Sequence, residues 1–204
     1  VKYRARTEHD EERRIGARRI VSARHRDGPL HVHRVVELRL QVDDERLLAL
    51  GGRYQSCDPR LTVRAIKLYM DGALGSRGAA LEEPYSDSPA STGLLRNAPD
   101  EVLRIAIAGL KSGIQIQTHA IGDRGNRIAL DQYERALAAV PPGERAVAEP
   151  RLRIEHVQVI GAADLPRFRK LGVIASMQTS HAISDMLFAP ARLGPARIGG
   201  AYAW

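Results

Sequence analysis

The chain has 204 residues, 44% of them hydrophobic, which gives enough length and apolar content for a globular domain and excludes wholesale disorder. No apolar run approaches the ~20 residues that a membrane helix needs, and the single cysteine, Cys57, excludes an internal disulfide. These features favour a cytoplasmic location. The chain begins at Val1 rather than at Met, so we expect the true N-terminus to lie upstream.

The formal net charge of +7 is unevenly distributed. Residues 1–60 hold 14 basic and 10 acidic side chains, whereas residues 61–204 hold 17 and 14. The basic segment is mixed in sign and lacks interleaved aromatic residues on which bases could stack, so we expect neither a nucleic-acid nor a membrane partner. We therefore divide the chain into a charge-rich segment, residues 1–54, and a domain, residues 55–204. The segment itself predicts a charged helix or disordered arm, a strand at 35–42 and a short helix at 44–50.

From residue 61 onward, strands alternate with helices. A long Gly- and Ser-rich loop over residues 72–93 follows the first strand, and such loops are usually functional or disordered. One helix opens at Pro99 and ends at Gly113, with an apolar stripe of Leu103, Ala106, Ile107 and Leu110. The predicted strands are 62–70, 114–118, 152–160 and 173–177. The other predicted helices are 125–140 and 162–171, with a partly helical tail to Trp204.

This alternation predicts an α/β fold with a parallel sheet. A doubly wound sheet and a (β/α)₈ barrel share the pattern, but the polar residues favour a barrel because they gather at the carboxyl ends of the strands, where barrel enzymes place their chemistry. A complete barrel takes about 250 residues and eight strands. The expectation is therefore a fragment of a TIM-like barrel, about strands 3 to 7.

Three residues stand out as candidate metal ligands. His119 and His156 end strands one βα unit apart, and imidazole is the commonest protein ligand of zinc and its neighbours. Two structural, hydrogen-bonded histidines would give the same pattern, so both interpretations stay open. Lys67 lies in an otherwise apolar strand, where a solvent-facing edge position or a salt bridge to Asp71 is the simpler explanation. Glu155 precedes His156 and should point to the opposite face of the strand.

Four blocks of sequence resemble the amidohydrolase superfamily, and more narrowly its amidohydrolase 3 branch of YtcJ-like proteins and N-substituted formamide deformylases. The first block is IKLYMDGALGSRGA at 66–79, which contains Lys67. THAIGDR at 118–124, RIEHVQ at 153–158 and SMQTSH at 176–181 follow in the family's order, and the ending GGAYAW at 199–204 is also similar. The resemblance covers residues 55 to 204.

The resemblance implies a TIM-like barrel that binds one or two divalent metal ions, with zinc as the expected metal. It further implies that Lys67 carries a carbamate bridging the metals, that His119 and His156 are the histidine ligands, and that the reaction hydrolyses a non-peptide C–N bond of a small amide or formamide. Residues near the barrel mouth would contact the substrate: Asp71, Arg77, Gln178 and His181.

Two expected parts of such a site are absent from the matching blocks. The family's first-strand His-x-His pair lies far upstream of the lysine, and its last-strand aspartate, the usual general base, would lie beyond Trp204. The pair His31 and His33 has the right spacing, but it stands where the family has its third βα unit, so we do not assign it. We therefore expect an incomplete barrel that is inactive alone; the alternative is a truncated or decayed gene product with no enzymatic function. The oligomeric state is left open.

Overall fold

The computed structural model describes residues 54–55 and 62–201, with side chains from residue 64 onward. The strand predicted at 35–42, the helix predicted at 44–50 and the pair His31 and His33 lie outside the described residues. Within the described ranges, no helix combines the length and the apolar character needed to span a bilayer.

The sheet is parallel, as the alternating pattern predicts. In chain order the strands are β1 (Tyr54–Gln55), β2 (Thr62–Val63), β3 (Ala65–Tyr69), β4 (Gln115–Ala120), β5 (Arg153–His156) and β6 (Ile174–Ser176). Strands β3 to β6 form a four-stranded parallel sheet in sequential order, whereas β1 and β2 pair antiparallel in a separate ribbon. The single strand predicted at 62–70 is therefore two strands, because its first residues pair with β1 and the chain joins the main sheet only after Arg64. The α/β class is confirmed.

Helices connect the parallel strands and follow the last one. They are α1 (Pro99–Ser112), α2 (Asp123–Ala139), α3 (Leu165–Leu171), α4 (His181–Ser184) and α5 (Ala189–Arg197), with 3₁₀ turns at Pro142–Glu144 and Ile198–Gly200. Gly113 and Gly172 end α1 and α3 in the left-handed conformation, with φ of 78° and 66°, as the sequence predicts. Helix α5 is interrupted at Gly194, whose backbone is not helical. The predicted helical character of the tail is confirmed over these elements.

The main hydrophobic core lies between one face of the sheet and the helices. Ile66, Ile116 and Ile154 on adjacent strands are fully buried against α1 and α2. The face of α1 that packs on the core differs from the predicted stripe. Leu103 and Ile107 of that stripe are only partly buried, and it is the most buried residues of the helix that face the core. Those residues are Val102, Ile105, Ala106, Gly109 and Leu110. Nearly every position of this stretch is apolar, so periodicity alone leaves the orientation open. Close packing decides it, since a Cβ at Gly109 would stand 2.7 Å from Ile116 Cδ1.

A second, smaller core, the loop–helix core, joins the long loop at 72–93 to α5. Leu74 and Tyr85 of the loop pack with Leu193 of the helix, beside Ile121 and Val159 at the ends of the strand segments. Two arginines of α5 reinforce this contact. Arg192 donates to the Gly75 carbonyl at 3.1 and 3.2 Å and pairs with Asp87, and Arg197 donates to the carbonyls of Glu83 and Pro84 at 2.9 and 2.6 Å. The loop is thus held by side chains more than 100 residues later in the chain.

Candidate metal centre

The face of the sheet that looks away from α1 and α2 is polar. The strand register places Lys67, Gln117 and Arg153 side by side in one row. One step toward the carboxyl ends, the next row is Tyr69, His119, Glu155 and Ser176. Such polar rows are unusual for a barrel interior, which is mostly filled by branched apolar side chains. The polar face is therefore the candidate floor of a site.

His156 leaves the regular alternation of β5. Its backbone partner is Ala120, which belongs to the helix-facing core, so regular geometry would turn the His156 ring away from His119. The φ of His156 is instead 79°, a left-handed value that a non-glycine residue rarely adopts. The His156 ring lies 4.6 Å from the His119 ring, centroid to centroid. Regular alternation predicts that the side chains of Glu155 and His156 point to opposite faces of the sheet. At the end of β5, however, the His156 ring lies beside His119, whose side chain is on the same face as that of Glu155.

Three imidazoles stand in sequence at this edge of the sheet; we call them the histidine row. His119 contacts His156, and His156 contacts His181 with ring centroids 5.3 Å apart. The Nδ1 of His156 lies 3.2 Å from the Nε2 of His181, within hydrogen-bonding distance. His181, predicted as a substrate contact, thus lies next to one of the two predicted histidine ligands.

Asp71, predicted as a substrate-binding residue, is completely buried behind His119. Its carboxylate accepts hydrogen bonds from the backbone N–H groups of Ala80, Ile121 and Gly122 at 2.9, 3.0 and 2.8 Å. Its Oδ1 also lies 3.4 Å from the Nε2 of His119, which is equally far from the carbonyl of Gly72. The carboxylate sits at the N-terminus of α2, where the helix dipole favours a negative charge.

Burial, together with electrostatic interactions with His119, Lys67 and His181, lowers the pKa of His156 to about 4, against a smaller opposing interaction with Gln178. The imidazole of His156 is therefore neutral at physiological pH. A neutral imidazole is the form that coordinates a metal ion. The electrostatics of the histidine row thus favour the ligand-competent state of this side chain.

Lys67 lies within electrostatic range of the same group. Its Nζ is 5.5 Å from the centroid of the Tyr69 ring, and its charge lowers the pKa of both His156 and Glu155. Burial raises the pKa of Glu155, but hydrogen bonds from Ser176 and Arg153 and the charges of Arg153 and Lys67 outweigh it, so the pKa is lowered. Arg153 donates to Glu155 at 2.9 Å. The structure thus brings Lys67, His119 and His156 to one polar face.

The two remaining predicted site residues have different surroundings. Arg77 lies on the long loop, and its guanidinium donates two hydrogen bonds of 3.0 Å to Asp87, which hold the pKa of that carboxyl below its usual range. Gln178 lies just past β6; its Nε2 donates to the Ser176 carbonyl at 3.1 Å, and its side chain interacts with His156. Their role as substrate contacts stays a prediction.

Sequence reasoning missed two buried polar residues beside the histidine row, Gln158 and Asp185. Gln158 is two residues past His156, and its Nε2 donates to Asp185 Oδ2 at 2.7 Å. The available signal was the spacing of His181 and Asp185, four residues apart, which places both on one side of a helical turn. Within the part of the chain that the structure describes, no three or more His, Cys, Asp or Glu side chains converge in a geometry that could hold a metal ion. Any site here therefore needs a ligand of another kind, such as a modified Lys67, or residues outside the described ranges.

Comparison with known proteins identifies the family of the chain. The model of the amidohydrolase family matches residues 14–204. The match begins well upstream of the boundary near residue 54 that composition suggests. Because the family model spans most of the sequence, the chain belongs to the amidohydrolase family.

Two curated proteins are similar to the chain. Protein LONG AFTER FAR-RED 3 of Arabidopsis thaliana is 37% identical over 137 residues, which are 67% of this chain and 23% of that protein. Putative amidohydrolase YtcJ of Bacillus subtilis is 28% identical over 176 residues, which are 86% of this chain and 31% of that protein. The chain thus spans about a quarter to a third of the length of these relatives.

Two solved structures share the fold. An uncharacterized metal-dependent hydrolase from Pyrococcus furiosus superposes with a TM-score of 0.65 and 32% identity, over 78% of this chain and 31% of that one. Its counterpart from Pyrococcus horikoshii gives a TM-score of 0.65 and 34% identity, over 78% and 30%. The described α/β unit therefore corresponds to a part of the fold of a metal-dependent hydrolase.

Proposed function

We propose that this chain carries part of the metal centre of a hydrolase that cleaves non-peptide C–N bonds of small amides or formamides. One observation carries the proposal: His119 and His156 end adjacent parallel strands with their rings 4.6 Å apart, on the polar face that also holds Lys67. The carboxyl-end rim of parallel strands is where barrel enzymes assemble catalytic groups. The family membership and the metal-dependent hydrolase neighbours support the same class of reaction.

The residues present fit a divalent metal ion, with zinc the best match to the imidazole donors. His156 is kept neutral, as coordination requires. The Nε2 of His119 lies 3.4 Å from both Asp71 Oδ1 and the Gly72 carbonyl. A polar contact at the ring nitrogen that does not bind the metal orients a ligating histidine. That contact leaves Nδ1 of His119 as its coordinating atom. Asp71 is a positioning residue in this proposal, because its buried carboxylate is engaged by backbone N–H groups.

Lys67 is the proposed third ligand, as a carbamate. The Lys67 ammonium first loses one proton. The neutral amine then attacks carbon dioxide: a C–N bond forms, one C–O π bond opens onto oxygen and a second proton is released, so a cation becomes an anionic oxygen ligand. The lysine lies beside two imidazoles that lose the repulsion of its positive charge when it is modified. Glu155 acts in the opposite direction, since its charge stabilises the ammonium form, and its ion pair with Arg153 moderates that effect.

A divalent metal ion, when bound, would polarise the scissile carbonyl and lower the pKa of a water molecule. The chain's own residues would supply the rest. Lys67, His119 and His156 would hold the ion, and Asp71 at the start of the long loop would orient His119. Gln178 and Arg77 are the proposed contacts around the substrate's entry, whereas both ring nitrogens of His181 face protein groups, His156 and Asp185.

Metal analysis tests the proposal directly. The purified chain, equilibrated with zinc and bicarbonate and then desalted, should retain zinc, and a His119→Ala, His156→Ala double variant should retain almost none. A His31→Ala, His33→Ala double variant is the matched control, because it removes the same number of histidines and should bind as the wild type does. Zinc retention by the wild type no higher than by the His119 and His156 double variant, measured by atomic emission, would contradict the metal centre.

Catalysis is a separate prediction. We expect negligible hydrolysis of an N-formyl amine by the 204-residue chain alone, because the described residues offer two histidines and one lysine as ligands and no assigned general base. Released formate, coupled to a dehydrogenase assay, measures the reaction. Turnover that disappears in the His119 and His156 double variant would contradict the expected inactivity and extend the proposed function to the chain itself. Absence of both turnover and zinc binding would favour a non-catalytic gene product.

A further inference from the structure

Asp185 is a buried carboxylate one step beyond the histidine row. Only 8% of its surface is exposed, and it lies on the turn that follows α4. Its Oδ2 accepts a hydrogen bond from Gln158 Nε2 at 2.7 Å and stands 3.3 Å from His181 Nδ1. Its Oδ1 lies 2.7 Å from the hydroxyl of Ser184. The carboxylate is thus held from two sides and lies close to Nδ1 of His181, with which it makes a charge contact rather than an aligned hydrogen bond.

The order of these groups determines which atoms carry protons. An ionised carboxylate only accepts hydrogen bonds, so Gln158 faces Asp185 with its amide nitrogen. Nδ1 of His181 lies 3.3 Å from the same carboxylate without an aligned hydrogen bond, and a lone pair on Nδ1 would be repelled by the negative charge, so the charge contact favours a protonated Nδ1. A neutral His181 then has an unprotonated Nε2, which accepts a hydrogen bond. The His156 Nδ1 lies 3.2 Å from that Nε2 and must therefore be the donor. The remaining nitrogen of His156, Nε2, is left with its lone pair.

We propose that Gln158, Asp185 and His181 form a relay of two hydrogen bonds and one charge contact that fixes the tautomer and the ring orientation of His156, so that its Nε2 is presented as the coordinating atom. This inference rests on the proposed metal centre and deepens it. His181 and Asp185 are positioning residues in this assignment, since they act through His156.

The relay gives the two histidine ligands equivalent support. His119 has a buried carboxylate, Asp71, 3.4 Å from its outer nitrogen, and His156 reaches a second buried carboxylate through His181. Outer carboxylates of this kind orient ligating histidines and raise their basicity. Gln178 is the competing partner, because its side chain also interacts with the His156 ring.

The first test reads the tautomers without metal. In the metal-free 204-residue chain labelled with ¹⁵N-histidine, long-range ¹H–¹⁵N spectra should show His156 and His181 both protonated at Nδ1. Asp185→Ala should shift both histidines away from that tautomer. Asp164→Ala is the matched control, because Asp164 is equally buried but pairs with Arg127 and Arg167, each at 3.0 Å. A wild-type His181 protonated at Nε2, or a His156 tautomer unchanged in Asp185→Ala, would overturn the relay.

The second test measures the consequence for metal binding. Asp185→Ala should weaken Co²⁺ affinity by about 10- to 100-fold, the usual effect of removing a residue that orients a metal ligand without binding the metal itself. Asp164→Ala should leave the affinity near the wild-type value. Co²⁺ absorption bands report the binding. Equal Co²⁺ affinity in the two variants would overturn the proposed role. A wild-type chain with the expected tautomers that binds no Co²⁺ would support the relay and contradict the proposed function instead, so the two failures are distinguishable.

Discussion

Replacing Asp71 with alanine should lower the free energy of unfolding by at least about 3 kcal/mol, because three buried backbone N–H groups lose their acceptor and each orphaned donor costs about 1–3 kcal/mol. The carboxylate joins the end of β3 to the segment that enters α2 and to Ala80 of the long loop. A Cβ on Gly125 would stand only 2.4 Å from Asp71 Oδ2, so the helix end is built closely around this group. Urea unfolding followed by circular dichroism measures the loss.

Asp123→Ala is the matched control for this variant. Asp123 also accepts two backbone hydrogen bonds at a helix start, from Glu82 and Arg124 at 2.9 Å, but it is only partly buried. Its loss should cost about 1 kcal/mol, as for an ordinary helix-end acceptor. If Asp71→Ala fails to fold, Asp71→Asn, which retains one carbonyl acceptor, should fold with an intermediate loss. Equal urea-unfolding midpoints for the Asp71→Ala and Asp123→Ala variants would contradict the proposed contribution of Asp71 to stability.

Replacing Lys67 with glutamine should weaken zinc binding by more than about 100-fold, since it removes a proposed ligand rather than an outer partner, whose loss costs 10- to 100-fold. The same proposal predicts a dependence on carbon dioxide. Zinc affinity of the wild-type chain should fall in buffer freed of carbon dioxide and recover on addition of bicarbonate. Lys67→Gln should show no such recovery. Competition with a chromogenic chelator measures both effects.

The control for Lys67 is Lys111→Gln, which removes an exposed lysine from the end of α1 and should preserve both the affinity and the bicarbonate response. The carbonyl carbon of a ¹³C-labelled carbamate gives an independent signal in NMR spectra of the wild-type chain. Zinc binding by the wild type that is tight but insensitive to bicarbonate would leave His119 and His156 as ligands and contradict the carbamate.

The parallel α/β unit was predictable because its signals are local. Strand–helix alternation and the glycine after each of α1 and α3 depend on residues close together in the chain. The break at Arg64 was not predictable, since it depends on whether β2 finds a partner in β1. The orientation of α1 depends on the contact of Gly109 with Ile116 rather than on period, because nearly every residue there is apolar.

The candidate site was predictable by position and not by geometry. Strand ends identified His119 and His156 as neighbours, but the side chain of His156 reaches His119 through a left-handed backbone that alternation rules do not anticipate. The relay involves a glutamine and an aspartate from separate segments, Gln158 and Asp185, which carry no local signal of their contact. Long-range pairing between polar side chains is the part of this site that only three-dimensional structure supplies.

The arginine contacts of α5 also set an order of events during synthesis. The partners of the Gly75 carbonyl, both nitrogens of Arg192, are 117 residues downstream. At a translation rate of roughly 5–20 residues per second, Gly75 leaves the ribosome about 6 to 23 seconds before Arg192. The strand bearing Lys67 is made before that interval, and the strands bearing His119 and His156 are made within it. The parallel strands of the candidate site can therefore pair before the long loop acquires the arginine contacts that hold it in the finished protein.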